Sequence, residues 1–342
     1  MNVAKISSEL QALQKQRVWY LKSRIMVANR LQATVAGTLG YETGMTEAQR
    51  GKKMKEATKL IKVIDAKHKA GESQDGIASI VINTLPSIKG FNAEVIELDK
   101  LMEKMTKQLP MVDWVHQPAQ RGVGLKSLGV IIGETGDLHN YSTVSKVWRR
   151  MGLAPITKNG ETHMGSTWRG RKNGQTKLNA REWQDGKYNP RRRAIMFVVG
   201  ENLVRQNGLG GNGDKSSDTE PGIADPDLSS GGGELETETD ANRATLTHPT
   251  GAGPYRMKYD EAKARSAEVH PEWLICSKCE GTGKTAKGTN CENCKGNGEV
   301  WMHCHLHAML LSTKLLLKNL WIVWNGEVSF DSETCGAVLC EV

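Results

Sequence analysis

The chain opens on a row of residues that returns every three or four positions: Val3, Ile6, Leu10, Leu13, Arg17, Tyr20, Leu21, Ile25, Ala28, Leu31 and Val35. That spacing predicts a long helix over residues 1–36 whose apolar seam needs a partner. Thr46-Glu-Ala-Gln49 has the form of a capping box, so a second helix is expected over residues 46–69, broken at Ala70-Gly71. A third is expected over residues 92–108, stopped by Pro110. The pattern leaves open whether these helices form a bundle or a dimerising coiled coil through the N-terminal helix.

Further on, Gly122-Val-Gly124 precedes Leu125, Leu128, Ile131 and Ile132 at helical spacing, which predicts a hairpin opening onto a helix. A Gly-x-Gly turn lets backbone come close to a ligand, and the N–H groups starting the next helix suit a phosphate oxygen. Alone, such a turn is commonly just a turn, so its surroundings decide. Asn189-Pro190 starts another helix, with Asn189 as cap and Pro190 in the first position. Residues 255–268 and 301–324 are read as helices bracketing a short cysteine module. The expected fold is mainly α. A helical arm (1–116) precedes a helix-hairpin-helix-like basic domain (117–207), an acidic linker expected to be disordered (208–252), and a C-terminal helical lobe (253–326) with an inserted zinc module (276–298). A tail (327–342) closes the chain.

Charge sharpens this picture. The whole chain of 342 residues carries +8, yet residues 141–207 hold fourteen Lys or Arg against four acids. Concentrated positive charge beside a phosphate-type hairpin points to DNA as the partner, with RNA as the alternative. The candidate contacts are Gly122, Gly124, Lys126, Arg149, Arg150, Arg169, Arg171, Lys172, Arg191, Arg192 and Arg193. Arg191 to Arg193 begin a helix, where cations oppose the macrodipole and a bound anion would relieve the conflict. Trp148, Trp168 and Trp183 lie among these charges; such rings fill a core more often than they stack on bases. The linker, with nine acids and two basic residues, is read as solvated, with weak folding back on the basic region as the lesser alternative.

Hydrophobic content of 38% and a mean hydropathy of −0.48 predict exposed helices. Residues 1–20 carry Lys5, Glu9, Lys15 and Arg17 and lack the apolar core of a secretory signal. The apolar stretch 306–324 is interrupted by Ser312, Lys314, Lys318 and Asn319, which disfavours a membrane span. Seven cysteines, four in metal spacing, suit a reducing cytoplasm, bacterial or of a phage-infected cell.

Cys276-Ser-Lys-Cys279 and Cys291-Glu-Asn-Cys294 form two C-x2-C knuckles, the pattern of one closed four-thiolate zinc site. Gly281, Gly283, Gly296 and Gly298 permit the positive-φ turns that aim N–H groups at sulfur. With four thiolates there is no open coordination position, so the ion is expected to be structural. Gly281-Thr-Gly-Lys-Thr285 mimics part of a phosphate-binding loop, but Lys278 stands where that motif needs Gly. His303, Cys304, His305 and His307 raise the alternative of a second metal site, against which a structural or nucleic-acid-facing role is preferred.

The C-x-x-C-x-G-x-G repeat over residues 276–298 resembles the cysteine-rich domain of DnaJ-type co-chaperones. That family uses four repeats for two zinc ions, and two repeats leave room for one. The family's His-Pro-Asp is not matched by His270-Pro271-Glu272.

Gly122-x-Gly124, Gly133-Glu-Thr-Gly-Asp137, Trp148-Arg-Arg-Met-Gly-Leu-Ala-Pro155, Arg169-Gly-Arg-Lys-Asn-Gly174 and Arg191-Arg-Arg193 resemble, in that order, the C-terminal domain of bridge-RNA-guided insertion-sequence transposases. Residues 301–324, with His303, Lys314, Lys318, Trp321 and Trp324, resemble phage and prophage relatives of it. The resemblance implies DNA binding. The family's catalytic serine follows Gly-Leu-x-Pro and precedes glycine, whereas here Asn159 precedes Gly160; Ser166 is the nearest candidate. The family's resolvase-like half with its metal-binding carboxylates has no counterpart before the helical arm. The expectation is a DNA-binding relative that has lost strand cleavage. Its rivals are an active serine-type recombinase component using Ser166 and a zinc-dependent protein adaptor.

Overall fold

The computed structural model describes residues 2–72, 76–158, 160–163, 178–208, 253–276, 278–285 and 288–326. Ser166, Trp168, Arg169, Arg171, Lys172, nearly all of the acidic linker and the tail lie outside the described residues. The described part is mainly helical, and its chain divides into two units, Glu9–Met105 and Met1–Ser8 with Thr106–Val342.

The Glu9–Met105 unit holds most of α1 (Val3–Thr38), α2 (Glu47–Lys69) and nearly all of α3 (Ile77–Thr106). Thr46 and Gln49 close the expected capping box: each side chain meets the other's backbone N–H. Leu31, Val35 and Ala36 of α1 share one apolar core with Ala57 and Ile64 of α2 and Ala78 and Val81 of α3. Polar clamps flank it, Arg17 on Asp99 at 2.5 Å and Arg24 on Asn92 at 2.7 Å. The third helix starts fifteen residues earlier than expected and runs through Pro86. Ile77, Ala78, Val81, Leu85 and Ile88 pack on the shared core. That burial outweighs the roughly 3 kcal/mol that proline costs inside a helix.

In the second unit, α4 (Val112–Val115) and a 3-10 turn (Pro118–Gln120) lead through Gly122 and Gly124 into α5 (Leu125–Thr135), whose residues from Leu128 onward are all buried. After it come α6 (Val144–Arg150), an antiparallel pair β1 (Ile156–Lys158) and β2 (Glu161–His163), α7 (Ala180–Asp185) and α8 (Pro190–Gly208). Asn189 accepts from the N–H groups of Arg191 and Arg192, the cap expected from the sequence. The lobe is completed by α9 (Pro254–Val269) and α10 (Met302–Trp324), which pack on each other and on α8 around Val204, Tyr259, Ala262, Ala308 and Met309.

Three indole N–H groups tie α10 to the segment before and within α6. Trp148 donates to the Lys314 carbonyl at 3.0 Å, Trp321 to the Tyr141 carbonyl at 2.9 Å, and Trp324 to Asp137 at 2.9 Å. Among the described helices, α10 alone is long and apolar enough to cross a membrane; Leu316, Leu317 and Leu320 are buried within this unit.

Candidate metal centre and nucleic-acid interface

The cysteine module fills the connection between α9 and α10, and its two knuckles are related by a pseudo-twofold with an offset of fifteen residues. The Cys276 N–H donates to the Gly298 carbonyl and the Cys291 N–H to the Gly283 carbonyl, at 2.9 and 2.8 Å. Bridges Ile275 to Glu299 and Lys284 to Asn290 repeat the same symmetry. Gly281, Gly283, Gly296 and Gly298 all take positive φ, as expected. Gly283 and Gly298 have a second reason to be glycine: a Cβ there would lie 2.1 Å from the Gly296 carbonyl and 2.2 Å from the Gly281 carbonyl. Glu280 and Lys295 are also left-handed, at φ 51° and 53°, a strain the sequence did not announce.

This framework brings Cys276, Cys279, Cys291 and Cys294 together as buried side chains with all four sulfurs within 4.8 Å of one another. The Cys276 to Cys291 and Cys279 to Cys294 separations are 3.9 and 3.6 Å. A sulfur tetrahedron with bonds of about 2.3 Å has edges of about 3.8 Å, so the four ligands fit one metal ion. The Asn293 amide donates to Cys276 at 3.2 Å and, with backbone N–H groups, pulls that thiol down to about 6 against the effect of burial. Burial and the neighbouring sulfurs push Cys279 up to about 11. Burial opposes ionisation of Cys294, but the N–H groups of Gly298 and Gly296 outweigh it and lower its value. Their surroundings thus pull Cys276 and Cys279 in opposite directions, and a bound cation would favour the thiolate form of its ligands.

The histidines around the module are engaged internally. His305 pairs with the Tyr259 hydroxyl at 2.6 Å and His307 with Ser266 at 2.8 Å, while His270 stacks on Trp273 at 4.1 Å. Cys304 is buried and its thiol raised. Among the described residues, only the four cysteines form a metal-ligating cluster.

The basic region is organised around a carboxylate. Glu134, at the buried end of α5, takes both terminal nitrogens of Arg191 and the Nε of Arg192. Arg150 donates from Nε to the Glu134 carbonyl at 3.0 Å, and burial together with the charges of Arg192 and Arg191 lowers its pKa. The conflict between Arg191, Arg192 and the N-terminus of α8 is thus relieved in part by an internal anion. Arg193 turns away and donates to the Gly152 carbonyl at 3.2 Å.

The hairpin glycine also has an internal role. A Cβ on Gly122, which sits at φ +100°, would lie 2.6 Å from the Asn202 carbonyl of α8. Gly124 is the N-cap of α5 and supplies no side chain to its first turn. Arg149 is exposed on α6, and Lys126 is half-buried in the first turn of α5. Trp183 is core, packed with Ile156, Leu178 and Tyr188. Trp148 is held by α10, with the Lys314 ammonium 5.2 Å from its ring centroid.

No family model matches the chain, and no curated protein or solved structure matches it.

Proposed function

We propose that the protein binds nucleic acid through the cationic rim made by α6 and the start of α8. We read it as a relative of the C-terminal domain of bridge-RNA-guided transposases without strand cleavage of its own. The observation that carries this reading is the charge imbalance at Glu134: Arg191 and Arg192 share its carboxylate while Arg150 holds its backbone carbonyl. One anion neutralises one of three cations, and a phosphate backbone supplies the rest. Exposed Arg149, Lys146, Arg181 and Lys187 extend the positive surface on both sides.

In this reading the four-cysteine centre holds one zinc ion. Four thiolates close its coordination sphere, so the ion braces the connection between α9 and α10 and takes no part in chemistry.

Fluorescence anisotropy tests the interface, with the zinc-loaded protein titrated against duplex, branched and single-stranded DNA and structured RNA. Arg149→Gln is the informative variant, because replacing Arg191 and Arg192 would also strip Glu134 of its partners. Arg149→Gln is expected to weaken binding across sequences and to reduce the salt slope by about one. Unchanged affinity and slope would remove α6 from the interface. A strand-transfer role would instead show nicking that Ser166→Ala abolishes.

The exposed apolar residues Ile275, Trp301, Met302 and Leu306 beside the cysteine module favour a second reading, a protein-docking adaptor. In that case Arg149→Gln has no effect and removal of the metal abolishes partner capture.

A further inference from the structure

Lys314 stands in the middle of α10, half-buried. Its stem lies against Trp148, whose indole N–H holds the Lys314 carbonyl at 3.0 Å while the ammonium sits 5.2 Å from the ring centroid. Burial lowers its pKa, and the one charged group that adds to the shift is another cation, Arg193. No ion pair is formed by either residue among the described residues, although Arg193 donates to the Gly152 carbonyl at 3.2 Å. Gly152, at φ +73°, keeps this approach open: a Cβ there would meet the Arg193 Cβ at 3.2 Å. The positive field of Lys314 reaches His307 as well, which together with burial and His270 is held below its ordinary value.

A half-buried ammonium is ordinarily paired with a carboxylate, because desolvation without a partner is costly. Among the described residues Lys314 and Arg193 share no such partner, whereas Arg191 and Arg192, two and one residues earlier, share Glu134. Trp148 supplies a rigid floor and some cation–π attraction but no negative charge. One short stretch holds both cations, Lys314 over the Trp148 ring and Arg193 on the Gly152 carbonyl four residues on, an arrangement that an oxyanion completes.

We infer that Lys314, over the Trp148 ring, and Arg193, on the Gly152 carbonyl, form a seat for a phosphate group of the bound nucleic-acid backbone. This inference rests on the nucleic-acid reading and adds a second contact point to it, on α10 and separate from the Glu134 cluster. The phosphate bridges α8 and α10, so binding also ties the basic domain to the C-terminal lobe.

Lys314→Met tests the seat, because it keeps an unbranched stem against Trp148 and removes the charge. Three readouts on the full-length, zinc-loaded protein separate the outcomes. Without ligand, Lys314→Met is expected to melt at or above the wild-type temperature, since an uncompensated cation has been removed. Inorganic pyrophosphate, compared with chloride at equal ionic strength, is expected to raise the melting temperature of the wild type and to raise that of Lys314→Met by less. Affinity for the best nucleic-acid probe at fixed salt is expected to fall on the order of tenfold, with a salt slope smaller by about one.

Pyrophosphate stabilisation that is undiminished in Lys314→Met, or is missing in the wild type, overturns the seat. Nucleic-acid binding with an unchanged slope in Lys314→Met overturns the seat and leaves the nucleic-acid reading standing. Lys314-dependent pyrophosphate stabilisation without binding of any nucleic acid keeps the anion seat and overturns its assignment to a backbone phosphate.

Discussion

At the scale of single residues, Glu134 decides whether the basic region can fold. It is 4% exposed and is the shared counter-ion of Arg191 and Arg192. Glu134→Gln is expected to cost about 3–5 kcal/mol in urea denaturation, because two guanidinium groups lose their charge partner while half-buried. Replacing Glu134, Arg191 and Arg192 together by Leu, Met and Met should recover most of that loss; equal instability of the triple variant would contradict a shared ion-pair origin. Gly122→Ala is expected to destabilise by at least about 1–3 kcal/mol, since a methyl group at positive φ runs into the α8 backbone. A neutral Gly122→Ala would mean that the turn is chosen for ligand approach alone. His307 supplies a pH signature: burial first, then His270 and Lys314, lower its pKa from 6.5. The folded state therefore favours neutral His307, so its contribution is complete above that value and is lost as pH falls through the lower, folded one. The difference in melting temperature between wild type and His307→Gln should change between pH 7.5 and 5.5; a constant difference would contradict this.

At the scale of elements, the cysteine module was the most legible part of the chain. Its C-x-x-C-x-G-x-G repeat announced both the ligands and the left-handed glycines, because few backbones aim four sulfurs at one point. The left-handed Glu280 and Lys295 were not legible, since neither residue type marks that conformation; only the fifteen-residue offset from one knuckle to the other places them. Asn293 breaks the repeat, standing opposite Lys278, and its amide on Cys276 belongs to the fold and not to the motif. Chelation of the metal is expected to release one zinc per chain and to expose the amides of residues 275–300 to hydrogen exchange. Helices α1 to α3 should keep their protection; exchange throughout the chain would contradict a local brace. The early start of α3 was not legible because a proline such as Pro86 costs helix stability, and only its core neighbours on α1 and α2 show what offsets it.

At the scale of the whole molecule, charge counting located the basic region but could not show how its cations are shared. Arg191, Arg192 and Arg193 are equivalent in sequence, yet the first two meet Glu134 from α5 and the third turns toward Gly152 and Lys314. That division depends on packing between residues 41 to 121 positions apart, which periodicity does not encode. The same packing gives Trp148 and Trp183, read from sequence as rings that fill a core more often than they stack on bases, fixed places against α10 and in the core. The central claim is that surplus positive charge on this frame binds a phosphate backbone. The most direct test is the equilibrium affinity of the zinc-loaded, full-length protein for duplex, branched and single-stranded DNA and structured RNA over a series of salt concentrations. The account predicts binding to at least one of these whose logarithm falls linearly with the logarithm of salt, with a slope equivalent to several phosphate contacts. Absence of binding at low salt, or affinity indifferent to salt, would contradict it.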